Sequence, residues 1–199
     1  MERTDEELMA EFQHGVEEAF VSLYKRYKLP VYRFIYRKLG NQHRAEELTQ
    51  DVFCALIRHR NQWRNQASFK TYLYRIAFNC CISESRRTQN IQSTQSEDKA
   101  STTATIDSSC PLTQLEQKQL SQIIQAALGK LPSDYRDVLI LREYEGLSYE
   151  QIAIVLDIPV GTVKSRLFRS KLELKQLLEG LLGKTTTPTV SQTANQTVK

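Results

Sequence analysis

Residues 147–171 read Leu-Ser-Tyr-Glu-Gln-Ile-Ala-Ile-Val-Leu-Asp-Ile-Pro-Val-Gly-Thr-Val-Lys-Ser-Arg-Leu-Phe-Arg-Ser-Lys. The spacing predicts two short helices joined by a tight turn. Ser148 is a helix N-cap, and Gln151 three residues on completes a capping box that satisfies otherwise unpaired amides. Ile152, Ala153 and Leu156 follow as an apolar stripe at helical spacing. Asp157-Ile158-Pro159-Val160-Gly161 stops the helix, because proline lacks a backbone N–H and glycine tolerates positive φ. The chain restarts at Thr162. Val163, Leu167, Ser170 and Leu174 then fall on one face, and Thr162, Ser165, Arg166 and Arg169 on another. A small alanine at a helix crossing, a tight turn and a basic, hydroxyl-rich second helix describe a helix-turn-helix. Arginine suits guanine edges and phosphates alike. A solvated basic helix in an ordinary bundle is the competing description of this spacing.

The flanking sequence narrows that choice. Leu131-Pro132-Ser133-Asp134-Tyr135-Arg136-Asp137-Val138-Leu139 is followed by Glu145 to Ala153 and by Ile158 to Leu167. Together they closely resemble region 4 of bacterial sigma factors of the extracytoplasmic-function group. The resemblance implies that Thr162, Lys164, Ser165, Arg166 and Arg169 contact the −35 promoter element. Asp157 stands where such motifs most often carry glycine; aspartate enters the left-handed region at modest cost, so the turn is expected to persist.

The chain has 199 residues, 40% hydrophobic and 25% charged, with a formal net charge of +4. That length suits one domain or two small ones. No run of about 20 apolar residues is present, and the N-terminus opens on acidic residues, which predicts a cytoplasmic protein. Cys54, Cys80, Cys81 and Cys110 have no C-x-x-C spacing and only His14, His43 and His59 accompany them, so no metal site is expected. The cysteines read as small reduced core residues.

Outward toward the N-terminus, Thr4 and Glu7 form a second capping box. Phe20, Tyr24, Tyr27, Val31 and Phe34 then make a core stripe, with Pro30 inside the helix. Lys25, Arg26, Lys28, Arg33, Arg37 and Lys38 crowd its other faces, either as a solvated surface or as a match to a passing duplex. Gly40 and Asn41 end this helix and cap the next, which runs to about Arg60. Glu46, Glu47, Gln50 and Asp51 cluster on its first half, as the helix macrodipole alone would favour. Trp63 interrupts a polar loop as a core pin. Ser68 caps a helix over Phe69 to Arg87, whose expected buried stripe is Phe69, Leu73, Ile76 and Cys80. Beside it runs a polar stripe of Arg75, Asn79, Ser83 and Arg86.

Ala45 to Phe53 resembles the sigma region 2 segment that docks on core RNA polymerase, which implies a protein–protein face at Glu46, Glu47, Gln50 and Asp51. Phe69 to Asn79, ending in Arg86-Arg87, resembles the segment that reads the −10 element. The family's preceding loop holds a flipped-out base of the single-stranded non-template strand. The resemblance therefore implies −10 contacts from Arg64, Asn65, Arg75, Asn79, Arg86 and Arg87. Ser83 departs from the aspartate often found there in the family.

Thr88 to Pro111 is rich in Ser, Thr and Gln and lacks helical period, so it reads as a flexible linker. In the family such a linker threads the polymerase channel. Leu115 to Leu128 resumes the period, Ser133 caps another helix, and Gly183 to Lys199 reads as a disordered tail. The expected fold is all-α: one bundle over 4–87, a linker over 88–111, a helix-turn-helix bundle over 112–182 and a tail over 183–199. The resemblance implies a non-enzymatic, cofactor-free promoter-specificity subunit. Its partners would be core polymerase, promoter DNA and an anti-sigma factor. A stand-alone helix-turn-helix regulator is the alternative, and it leaves the first bundle unexplained.

Overall fold

The computed structural model describes residues 3–64, 67–92 and 111–185. Among them the regular elements are all helical: α1 (Asp5–Gln13), α2 (Glu17–Leu39), α3 (Gln42–Arg58), a 3-10 turn at Arg60–Gln62, α4 (Phe69–Gln92), α5 (Pro111–Lys130), α6 (Ser133–Leu139) running into a π-helical turn at Ile140–Tyr144, α7 (Tyr149–Leu156) and α8 (Val160–Thr185). Helices α1–α4 form the first bundle and α5–α8 the second.

Helix ends follow local chemistry. Both capping boxes form, Thr4 with Glu7 and Ser148 with Gln151. Gly40 ends α2 at φ 71°, and the Asn41 side chain then accepts the Arg44 amide. Asp157 ends α7 in the left-handed region, φ 55° and ψ 51°, so the aspartate does enter the conformation the turn requires. Ser68 Oγ accepts the Thr71 amide, and Glu6 from α1 accepts that of Phe69, so two residues share the free donors at the start of α4.

The first core is aromatic. Phe53 meets Tyr24 edge-on at 4.8 Å and Phe20 at 6.4 Å, while Phe34 meets Tyr74 at 5.3 Å. Trp63 is buried as a pin, although its indole Nε1 has no hydrogen-bond partner.

Several local expectations shift. Helix α4 continues to Gln92, past Arg87, and α5 starts at Pro111 rather than Leu115. Ser133 is the first residue inside α6, with Pro132 in the cap position. Cys54 is exposed, Cys80 half-buried and Cys81 fully buried; only the last is a true core cysteine. Asn65, Cys110, most of the 88–111 linker segment and the tail from 186 lie outside the described residues.

The buried stripe of α4 also differs from the expected one. Phe69, Leu73, Tyr74, Ala77 and Cys81 are buried, whereas Ile76 and Cys80 are only partly so. The reason is that α4 is covered twice, by its own bundle and by α7 of the second. One apolar cluster therefore runs through both bundles, from Phe34, Tyr74 and Cys81 to Val138, Ile140, Leu141 and Ile152.

The cationic patch on α2 is corrected by the same packing. Lys38 is buried and hydrogen-bonds the Asp137 carboxylate. Arg37 is half-buried, 4.0 Å from the Tyr144 ring centre and 3.9 Å from Glu145. These two cations face carboxylates of the second bundle. Arg26 pairs with Asp5, and Lys25, Lys28 and Arg33 remain exposed.

Candidate nucleic-acid interface

Two polar surfaces stand out. The first is the outer face of α8. Val163, Leu167 and Ser170 point into the second bundle, which turns Lys164, Ser165 and Arg169 to solvent. Thr162 is half-buried. Ser165 Oγ donates back to the Thr162 carbonyl at 3.0 Å. Arg166 is also half-buried and pairs with Asp134 of α6 at 2.6 Å, so a base contact from it has to displace an existing partner. Arg169 has no such constraint among the described residues. Phe168, 74% exposed, belongs to the same surface and was absent from the sequence-based set. Its apolar character gave no period signal, since the buried stripe runs on the opposite side.

The second surface lies on α4. Arg75, Asn79, Ser83 and Arg86 are all exposed in one line, as their spacing predicts. Arg75, Asn79, Ser83 and Arg87 border a groove of ≈ 710 Å³ between α3 and α4. Leu48, Ala55, Ile76 and Cys80 make its floor. Burial raises the Cys80 thiol, keeping it protonated, so it lines the groove as an apolar atom. Arg58, His59, Gln62 and Tyr72 complete the rim; the sequence reading missed them. Tyr72 lies three residues before Arg75 and donates its hydroxyl to the His59 carbonyl at 3.1 Å, fixing the loop entrance. Arg64 is exposed beside this loop.

The acidic set on α3 divides. Glu46 and Gln50 are exposed, and Asp51 borders the α3–α4 groove from the side opposite Asn79. Glu47 is half-buried, held by Arg44 and 3.3 Å from His43. Arg44 also pairs with Glu84 of α4, which ties the two groove walls together. The acidic set and the α4 stripe thus form adjoining surfaces of one bundle.

Residues 23–91 match the family model for Sigma-70 region 2, and residues 121–174 match that for Sigma-70 region 4. This chain belongs to the sigma-70 family of RNA polymerase sigma factors. The sigma factor is 32% identical over 184 residues to the RNA polymerase sigma-H factor of Pseudomonas aeruginosa, covering 89% of this chain and 95% of the relative. It is also 32% identical over 185 residues to the ECF RNA polymerase sigma-E factor of Escherichia coli K12, covering 90% and 96%. Among solved structures its fold is similar to the sigma factor RpoE in complex with the anti-sigma factor NepR from Bartonella quintana. There the TM-score is 0.68 at 23% identity, over 80% of this chain and 96% of that one. CnrH in complex with the cytosolic domain of CnrY gives a TM-score of 0.63 at 23% identity, over 87% and 96%. Among the described residues of this sigma factor no helix is long and apolar enough to cross a membrane.

Proposed function

We propose that this sigma factor acts in the cytoplasm as a dissociable, non-enzymatic subunit that directs bacterial core RNA polymerase to a promoter set. The observation that carries this reading is the pairing of two exposed polar helix faces, on α4 and on α8, in the order of the two matched sigma regions. In this reading α8 reads the duplex −35 element through Lys164, Ser165, Arg166 and Arg169, with Thr162 at its entry. The groove-side residues Arg75, Asn79 and Arg87, with Arg86 on the same helix and Arg64 and Asn65 in the preceding loop, capture the melted −10 strand. Unstacking a base costs a few kcal/mol, which contacts in a preformed groove offset. Glu46, Glu47, Gln50 and Asp51 on α3 dock on core polymerase. The similar RpoE is in complex with the anti-sigma factor NepR, and an anti-sigma factor is a proposed partner here too.

The test is transcription with purified chain, bacterial core polymerase and a library of duplex promoters. Promoter-dependent transcripts are expected; transcripts no different from core alone across the library sink the reading. Glu47→Lys with Asp51→Lys should abolish co-purification with core, since like charges across an interface cost several kcal/mol. Arg44 retains Glu84 in that variant, so helical content by circular dichroism should hold. Unchanged core binding removes the docking assignment.

A further inference from the structure

A cavity of ≈ 250 Å³ lies apart from both the α3–α4 groove and the outer face of α8. Its walls include Arg33 and Arg37 on α2, Lys70 and Tyr74 on α4, and Tyr144 and Glu145 at the end of the π-helical turn. The Glu145 carboxylate is already engaged, since it accepts the Tyr74 hydroxyl and lies 3.9 Å from Arg37. Its carbonyl accepts Lys70 Nζ at 2.5 Å. Tyr27, also on the wall, donates its hydroxyl to Asp5. Asp5 in turn pairs with Arg26, so that carboxylate brings its own cation.

Three cations therefore border the cavity against one carboxylate, an excess of two positive charges. Arg33 is exposed and has neither a hydrogen bond nor an ion pair among the described residues. The Lys70 ammonium is bonded to a neutral carbonyl rather than to a carboxylate. Arg37 stacks on the Tyr144 ring at 4.0 Å, and a stacked guanidinium keeps its in-plane N–H groups for an anion. Burial lowers the proton affinity of Arg37 and nearby Arg33 lowers it further, against the pull of Tyr144 and Glu145. Gathered like charges repel, and a bound anion relieves that repulsion.

We infer that this cavity is a binding site for a dianionic phosphate group, free or carried by a small ester. The charge of such a group equals the excess on the walls. Arg33 and Arg37, one turn apart on α2, offer forked N–H donors that match paired phosphate oxygens. Lys70 meets the same group from α4 as a point charge. Tyr144, 41% exposed, lies where the cavity meets solvent, so the organic part of an ester leaves past its ring. Glu145 is the resident competitor, because it draws on Arg37 and holds down the affinity for an outside anion. The inference does not depend on what the α4 and α8 faces read.

The test titrates the full chain with inorganic phosphate, glycerol phosphate and adenosine monophosphate, by calorimetry and phosphorus NMR. The buffer is free of phosphate and holds chloride at about 0.15 M, which screens diffuse surface attraction. Saturable binding of at least one probe is expected, and the tightest names the source of the phosphate. Arg33→Ala and Lys70→Ala should each weaken it about tenfold or more, the worth of one charged hydrogen bond. Lys25→Ala removes the same charge from an exposed site of α2 outside the cavity, and binding should not change. Glu145→Gln keeps an acceptor for Tyr74 but removes the competing charge, so binding should tighten. Circular dichroism checks the fold of each variant, and exposed, unbonded Arg33 is the one least able to disturb packing. Failure of all three probes to saturate overturns the site. An equal loss in Lys25→Ala and Arg33→Ala also overturns it, since diffuse surface charge then explains the binding. Binding no tighter in Glu145→Gln overturns the placement beside that carboxylate.

Discussion

Helix α4 presents two polar faces that differ in one respect. On one, Arg75, Asn79 and Ser83 stand exposed along the α3–α4 groove, with Arg86 exposed in the same line. On the other, Lys70 and Tyr74 are engaged by Glu145, and Tyr74 is fully buried. Exposed polar groups remain solvated and keep their capacity for a ligand at little cost to folding. Buried ones are costly unless paired, because an orphaned buried partner costs about 1–3 kcal/mol, more if charged. The same helix therefore separates a face poised for an outside partner from one satisfied within the chain. Paired charges in the seam between the two bundles contribute little net affinity over apolar residues.

The sharpest way to break that contrast is Tyr74→Phe. It keeps the ring beside Phe34 but strips a donor from a buried carboxylate. The docked form, with the two bundles packed together, should lose about 1–3 kcal/mol relative to one with them apart, seen as expansion in scattering while helical content persists. A variant as compact as wild type would show that Arg37 and Lys70 satisfy Glu145 unaided, and that the tyrosine hydroxyl is dispensable.

This face was the least legible part of the chain. Capping boxes at Thr4 and Ser148, the Gly40 stop and the left-handed Asp157 are local events, and short sequence windows contain everything that decides them. The α4 groove stripe was legible for the same reason, being a single helix period. Tyr74, Ala77 and Cys81 owe part of their burial to α7, some 70 residues away, and no window over α4 alone contains that partner. Lys38 and Arg37 read as surface cations because their carboxylates lie 99 and 108 positions along the chain. One weak trace existed: Asp137 abuts the apolar run Val138 to Leu141, an odd place for a solvated carboxylate. Tyr72 and His59 at the groove rim escaped because the intervening loop, not the helix period, brings them there.

Asn79→Ala probes the opposite face and should give the complementary result. Stability should stay within about 0.5 kcal/mol of wild type, as for an exposed site without partners. Open-complex yield with core polymerase should fall by about tenfold, the worth of one lost polar contact of about 1.4 kcal/mol. A template already mismatched around the start site should recover much of that loss, because the duplex no longer has to be opened. Permanganate reactivity of unpaired thymines reports the opening directly. If Asn79→Ala destabilises the fold as Tyr74→Phe does, the two faces are not separable.

The smallest effect concerns pH and again touches only the seam. Burial raises the Asp137 carboxyl, against the opposing pull of Lys38 and Arg136 and with a further push from Asp134. Burial likewise raises Glu145, opposed by the Tyr74 hydroxyl and by Arg37, Lys70 and Arg33. Burial pushes the Cys81 thiol, beside Lys38 and Asp137, up to about 12, so it stays protonated across the neutral range. A carboxyl that binds its proton more tightly in the docked form than in the open form draws protons up on closing. Docking is then favoured as pH falls and weakened as pH rises through the raised values, by at most about tenfold in the open-to-docked ratio per pH unit for each proton. Scattering between about pH 8 and about pH 5 should show a slow contraction, flattened in Asp137→Asn, while the exposed stripe of Arg75, Asn79, Ser83 and Arg86 holds no carboxyl to contribute. Expansion on acidification would mean that the Lys38–Asp137 and Arg37–Glu145 attractions outweigh burial, and that the seam closes as an ion-pair clasp whose carboxylates need to be charged.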